Sequence, residues 1–418
     1  MTSLETPEEM TTEEATTFEE LMKPLQPALE EIEKNRFIHH LETFAFTPFV
    51  TLMIYYFTTG TKSGRLLLTN TISVPSVLGL ASVPRSTFFD AFNRFSVSWF
   101  SKLMVALLGA VVWIEIPELQ TFGKLYVIDG SIFPAIAKML WAEYRTNCKG
   151  LKLHLLLDLN QMTPVHFLIG SGNSNEKLAF KQMIEAEVTY IADRGYVKWK
   201  LLTDIVLAQA HFVIRMKANL KCCVVKDLPV VLPDAARHLL SGVTDQTIIL
   251  TGAKGKPTYR LVQFLIGGKK ILLLTDRLDL TTFQVILLYS YRWQVELMFR
   301  FLKRDINGLH LVSTSERGVT IQFYLLMITA LLHLHLKQKC VSACLDDTPK
   351  SQLPLDPTEW DDFIAQRAVD DTNGQLFLAT VGDKLHQYWK ISVHWIQHLR
   401  DLLAQPFDQR AIELLGGT

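Results

Sequence analysis

KLYVIDGS (residues 124–131), LKLHLLLDLN (151–160), TPVHFLIGSG (163–172) and VTYIADRGY (188–196) decide the fold class. Each is a short run rich in Val, Ile, Leu and Tyr, bounded by turn residues, and so reads as a strand. Asn160-Gln161-Met162-Thr163 joins the second run to the third as a hairpin. NEKLAFKQMIEAEV (175–188) and KWKLLTDIVLAQA (198–210) carry apolar residues at helical spacing, and HFVIRMKAN (211–219) returns to strand. The order β-β-β-α-β-α-β predicts a mixed α/β core. Residues 220–278 add TIILTG (247–252), YRLVQFLI (259–266) and KKILLLTDR (269–277) between Gly, Lys and Pro turns, the pattern of a β-rich insertion. A helix from Thr281 to Arg304 follows, opened by Thr281 and Gln284 at capping-box spacing.

Upstream the texture is helical. From Gln26 to Trp113 apolar residues recur every three or four positions, with breaks at Pro48, Gly60, Pro75 and Pro84. SVPSVLGLASVPRSTFFDAFNRF (73–95) reads as helix, short turn, helix, with Ser73 and Ser82 as N-caps. Phe88, Phe89, Phe92 and Phe95 face a core there, leaving Arg85, Asn93 and Arg94 outside. A helix-turn-helix would carry those bases into a major groove, though any two consecutive helices of an α-domain share the pattern. The expected organisation is an acidic flexible N-terminus (1–25), a helical DNA-binding region (26–120), a catalytic core (121–219 and 279–340), the β-rich insertion (220–278) and an acidic helical C-terminal region (341–418).

The 418 residues hold 42 Lys+Arg against 42 Asp+Glu, and 49% are hydrophobic. That apolar fraction excludes a disordered chain, and five cysteines are too few and odd in number for a disulfide scaffold. The zero net charge conceals a gradient. Residues 1–34 hold ten acids and two bases, residues 345–418 twelve acids and six bases, and the stretch between them 34 bases and 20 acids. A basic body flanked by acidic tails suits a polyanionic partner, and equally a charged surface that keeps the protein in solution. The first twenty residues lack the apolar run of a signal peptide. Three uncharged stretches, Thr43–Thr61, Leu66–Pro84 and Gly318–Leu336, approach the length of a membrane span. Threonines, prolines and, in the third, Gln322, His333 and His335 make buried core helices the better account, so no membrane partner is expected.

Two aspartates stand at strand ends beside glycine turns: Asp129 before Gly130, and Asp193 before Arg194-Gly195. Carboxylates held there suit hard cations such as Mg²⁺, but aspartate is also a common turn residue. On the helix that follows, Tyr289, Arg292, Glu296, Arg300 and Lys303 recur at steps of three or four. At about 100° per residue they share an arc of about 80°. One carboxylate within a stripe of bases fits a phosphate-handling site, and also an ordinary surface helix with i,i+4 ion pairs.

YSYRWQVELMFRFLK (289–303) fits Tyr-x2-Arg-x3-Glu-x6-Lys without a gap, and resembles the YREK signature of bacterial insertion-sequence transposases of the IS-four type, within the DDE superfamily. YVIDGS and YIADRGY are similar to that family's two aspartate regions, and the resemblance covers about residues 120–340. It implies an RNase H-like core interrupted by the β-rich insertion, and a DNA transposase that cleaves and joins the ends of its own element. By the same resemblance Asp129, Asp193 and Glu296 form the catalytic, metal-binding triad, with Asp129 bridging two Mg²⁺ ions and the others holding one each; Mn²⁺ can substitute. Tyr289, Arg292, Lys303 and Arg300 would contact DNA phosphates, and Arg85 and Arg94 would contact DNA from the helical region. The partners implied are double-stranded terminal inverted repeats, target DNA and a second copy of the chain as a homodimer on DNA. The implied location is the bacterial cytoplasm, at the nucleoid.

Relatives can use a Trp in the insertion to stack on a flipped base, whereas residues 200–292 hold none; Phe212, Tyr259, Phe264, Phe283, Tyr289 and Tyr291 are the aromatics available. His333, His335, Cys340 and Cys344 match no standard zinc spacing. The competing reading is an inactive or domesticated relative that binds DNA without cutting it.

Overall fold

The computed structural model describes residues 18–346 apart from 41, 60–62, 74–79, 114, 146–147, 252 and 254. These divide into two compact units: one from the residues up to 114 with 134–141 and 300 onward, the other from 115–133 and 142–299. The expectations for the acidic N-terminus to residue 17 and for the C-terminal region beyond residue 346 lie outside the described residues.

The first unit is helical. It contains α1 (Gln26–Asn35), α2 (Phe46–Thr58), α3 (Gly64–Ser73), α4 (Arg85–Arg94), α5 (Val97–Ala110) and, from the far end of the chain, the helix Glu316–Asp346. Its core is aromatic: Phe46 meets Phe95 and Phe100 edge-on at 5.3 and 5.1 Å, and Phe49 meets Phe92 at 5.0 Å. Such edge-to-face pairs add about 0.5–1.5 kcal/mol each beyond the area they bury. Phe88, Phe92 and Phe95 are buried as the spacing predicts, but Phe89 is only half-buried. The caps differ from expectation. Ser73 is the last residue of α3, and α4 starts from Pro84, whose fixed φ presets the first turn, so Ser82 caps nothing. Residues 74–79, the first helix of the expected helix-turn-helix, lie outside the described residues. Glu316–Leu336 is long and apolar enough to cross a membrane, yet 83% of its apolar window is buried within the protein, as a core helix requires.

The second unit is built on one mixed ten-stranded sheet, and the chain is mixed α/β as its strand runs predict. Its strands are β1 (Lys124–Pro134), β2 (Glu143–Arg145), β3 (Cys148–Asp158), β4 (Thr163–Ser171), β5 (Val188–Ala192), β6 (His211–Arg215), β7 (Cys222–Asp227), β8 (Ser241–Leu250), β9 (Thr258–Ile266) and β10 (Lys269–Thr275). Their order is β2-β3-β1-β5-β6-β10-β9-β8-β7, with β4 pairing β3. β1, β5 and β6 run parallel, while β10 on β6 and β4 on β3 are antiparallel. Leu125–Ile128 and Val188–Ala192 are buried without alternation, as strands covered on both faces must be. The β3–β4 hairpin turns where predicted: Asp158 Oδ1 accepts the Asn160 N–H at 2.8 Å, and Met162 takes φ 54°. The strands of the 220–278 stretch lengthen this same sheet, with β10 pairing β6 and carrying β9, β8 and β7 outward.

Four helices of this unit matter to the site: α6 (Glu176–Gln182), α7 (Trp199–Leu207), α8 (Thr282–Ser290) and α9 (Trp293–Arg300). The predicted capping box at Thr281 and Gln284 is present. The helix expected from Thr281 to Arg304 is not continuous. It tightens after Ser290, where the Arg292, Gln294 and Val295 N–H groups reach back only three residues. It then widens into a π-helical turn over Phe301–Asp305. Tyr289, Arg292 and Glu296 nevertheless share a face as the spacing predicts, with the Arg292 guanidinium over the Tyr289 ring at 5.9 Å and 2.8 Å from Glu296, while Arg300 and Lys303 fall in the helical unit.

A buried ion pair fixes α8 to the outer strands. Arg260 on β9 grips Asp245 on β8 with both arms of its fork, at 2.8 and 2.6 Å, and both residues are buried. Thr282 at the first turn of α8 donates to the same carboxylate at 2.7 Å. Arg260 also donates to the carbonyls of Arg277 and Leu280 just before that helix.

Candidate active site

Strand register places the aspartates. The last paired step of β1 and β5 sets Ile128 opposite Ala192, and the next residues along are Asp129 and Asp193. Ala192 pairs in turn with Ile214 on β6, so Arg215 is the next residue on the third parallel strand. Neighbouring strands lie about 4.8 Å apart. Two carboxylates and a guanidinium therefore stand side by side at the carboxyl edge of three parallel strands, where open α/β sheets bind ligands. Arg215 carries a single signal in the sequence, the strand HFVIR ending on a base.

The helix break brings the rest. Arg292, in the tight turn between α8 and α9, forks between two acids. Its Nη1 donates to Asp129 Oδ2 at 3.3 Å and its Nη2 to Glu296 Oε1 at 2.8 Å. Tyr289, near the end of α8, reaches Asp193 Oδ1 with its hydroxyl at 3.4 Å. Asp193 occupies the N-cap position of the turn Arg194–Tyr196 but makes no cap hydrogen bond, so its carboxylate is left to the site. Asp129 Oδ1 accepts the Gly130 N–H at 2.7 Å. Burial pushes the Asp129 carboxyl up to about 6, and the negative Glu296 and Asp193 add to the rise against the pull of Gly130 and Arg292. The cluster is short of positive charge.

Asp129, Asp193, Glu296, Tyr289 and Arg292 thus share one site within the sheet-bearing unit. Arg300, Lys303, Arg85 and Arg94 belong to the helical unit. There Arg94 donates to the Phe44 carbonyl at 3.1 Å and pairs with Asp90, and Arg85 lies over the Phe89 ring. Burial lowers the Lys303 ammonium, and Arg300 is exposed. The six aromatics of residues 200–292 named above are all buried.

Behind Asp129 lies a polar layer. His154 on β3 is buried, with Nδ1 at 3.3 Å from the Tyr196 hydroxyl and Nε2 at 3.0 Å from Ser174 Oγ. Lys152 pairs with Glu176 beside it. A Cβ on Gly130 would press on Tyr196, Lys152 and His154 at 2.9–3.3 Å, so glycine lets β1 sit tight on this layer. Burial lowers the His154 imidazole to about 4, with Lys152 adding to the fall. The unfolded chain takes up this proton near 6.5 and the folded chain only near 4, so the stability His154 contributes is present above 6.5 and is lost as pH falls between the two values. We expect urea midpoints to drop on acidification from pH 7 to 5, and to drop less in His154→Gln. Parallel pH curves for the two proteins would contradict this.

What can this arrangement do? Three carboxylates offer hard oxygen donors, the chemistry that Mg²⁺ and Mn²⁺ select. Among the described residues no three His, Cys, Asp or Glu side chains form a group that could hold a metal ion as they stand; Arg292 lies between Asp129 and Glu296. The donor set and its surplus of negative charge fit a divalent cation that would draw the three together.

The profile of the transposase DDE domain matches residues 120–332, just over half the chain. A protein of Sinorhizobium fredii named as a transposase is 29% identical over 219 residues, covering 51% of this chain and 61% of its own length. A Geobacillus stearothermophilus protein named as a transposase for insertion sequence element IS5377 is 27% identical, over 47% of this chain and 52% of its own length. One from Synechocystis, named for element IS4SA, is 24% identical over 60% of this chain and 71% of its own length. The chain thus spans under two thirds of the first two relatives. The profile spans just over half of the chain, and on that ground the chain belongs to the transposase DDE domain family.

Proposed function

We propose that this protein is a DNA transposase of the IS-four type with an RNase H-like core, cleaving and joining the ends of an insertion sequence at Asp129, Asp193 and Glu296. One observation supports the reading: strand register sets Asp129 and Asp193 on neighbouring strands, Arg292 links Asp129 to Glu296, and Tyr289 reaches Asp193, from segments up to 167 positions apart in the chain.

Asp129, Asp193 and Glu296 would hold two Mg²⁺ ions, or Mn²⁺ in their place. When bound, these supply Lewis-acid stabilisation of charge on the attacking and leaving oxygens of a phosphodiester. The rest falls to the protein. Tyr289 holds the Asp193 carboxylate by its hydroxyl. Arg292 holds Asp129 and Glu296, and its planar fork matches phosphate as well as carboxylate, so it can exchange partners when DNA arrives. Arg215 adds a fixed charge at the same edge. Buried on all six aromatics, the 200–292 segment offers none to stack on a flipped base, which favours a route without a Trp-stabilised hairpin. Arg300, Lys303, Arg85 and Arg94 are assigned to DNA phosphates and grooves. The substrates are double-stranded inverted repeats and target DNA, handled by a homodimer in the bacterial cytoplasm at the nucleoid.

The test is cleavage of a duplex carrying the element's ends. We expect new 3′-hydroxyl ends in Mg²⁺ and none in EDTA. Binding without nicking in either Mg²⁺ or Mn²⁺ would instead establish a domesticated relative that only binds DNA.

A further inference from the structure

Beside the Asp193 turn lies a small pocket lined by Asn175, Lys177, Lys181, Lys198, Lys200 and Asp204, with Leu178 and Leu201 between them. Lys181 and Asp204 pair at 2.9 Å and cancel. Glu176 is taken up by Lys152. That leaves Lys177, Lys198 and Lys200, none of which has a carboxylate partner among the described residues. Lys198 and Lys200 are exposed and Lys177 is half-buried. Three unneutralised ammonium groups around one hollow repel each other and favour an anion.

Size and place say which anion. The pocket encloses about 130 Å³, well below the roughly 300–1,000 Å³ of a site for a whole small molecule. It fits a phosphate group and excludes a nucleotide. It also lies on the catalytic edge of the sheet. Lys198 and Lys200 follow Asp193 by five and seven residues, across the single turn Arg194–Tyr196. Lys177 enters from the other side, at the start of α6, whose Glu176 would touch a Cβ placed on Gly195. A strand with one phosphate among the three acids would bring its flanking phosphates along this edge.

We propose that Lys177, Lys198 and Lys200 form a backbone clamp for duplex DNA flanking the scissile phosphate, separate from the Tyr289–Arg292 set. This rests on the DNA-transposase reading above. The clamp contacts phosphate alone, so it adds affinity and register without sequence preference.

The experiment is fluorescence anisotropy of a 30-base-pair duplex of arbitrary sequence, in EDTA, across about 50 to 200 mM salt. It compares wild type, Lys177→Gln/Lys198→Gln/Lys200→Gln, and Lys124→Gln, a lysine at the opposite end of β1. Each phosphate contact contributes about 0.9 to the slope of log affinity against log salt. We expect the triple variant to bind more weakly with a slope shallower by about 2 to 3, Lys124→Gln to match wild type, and thermal melting to be unchanged. An unaltered slope in the triple variant overturns the clamp. So does saturable binding of inorganic phosphate, lost in the triple variant, while the DNA slope stays the same; that result marks a free-phosphate site. Absence of DNA binding by wild type at low salt overturns the transposase reading itself.

Discussion

Glu296→Gln is expected to lose cleavage of end-containing DNA by about a thousandfold or more while its affinity for the same DNA is retained. Charge stabilisation by a metal ion amounts to several kcal/mol in the transition state, and each 1.36 kcal/mol is about tenfold in rate. The amide keeps one oxygen to accept from Arg292 Nη2, now at 2.8 Å from Glu296 Oε1, so the turn between α8 and α9 keeps its shape. What goes is the negative charge. Cleavage rates and anisotropy on one duplex separate the two effects. Equal cleavage by both proteins would place the chemistry elsewhere.

Asp245→Ala should be among the most destabilising substitutions in the sheet-bearing unit, by about 3–5 kcal/mol. Its carboxylate is buried and takes three hydrogen bonds, two from Arg260 and one from Thr282. Removing it strands a buried guanidinium and frees the first turn of α8, the helix that carries Tyr289 into the site. Replacing both partners by apolar residues, Asp245→Leu with Arg260→Met, should be far milder, since no unpaired charge remains. Urea unfolding of the three proteins is the measurement. A loss below about 1 kcal/mol in Asp245→Ala, the level of an exposed pair, would contradict the assignment.

That ion pair was not legible in the sequence. Asp245 and Arg260 sit in strands where polar residues ordinarily face water, and only the register of β8 on β9 turns both inward. The aspartates were legible because each closes an apolar run beside or near a glycine, although only Asp193 ends its strand; β1 runs on past Asp129 to Pro134. The break after Ser290 was not. Tyr291, Arg292 and Trp293 carry neither Pro nor Gly, so nothing local marks the turn that points Arg292 at Asp129. Gly318–Leu336 is legible as part of a core helix because Gln322 needs a partner that a bilayer lacks. Gln322 Oε1 does accept the Val312 N–H at 2.8 Å.

In the function proposed above, Asp129, Asp193 and Glu296 act as one divalent-cation site. Titration of the DNA-free protein with Mn²⁺, followed by electron paramagnetic resonance of the free ion, tests it without any turnover. The account predicts saturable binding by wild type that weakens at least tenfold in Asp129→Asn, with melting curves showing the variant folded. Identical Mn²⁺ binding by the two proteins would contradict it.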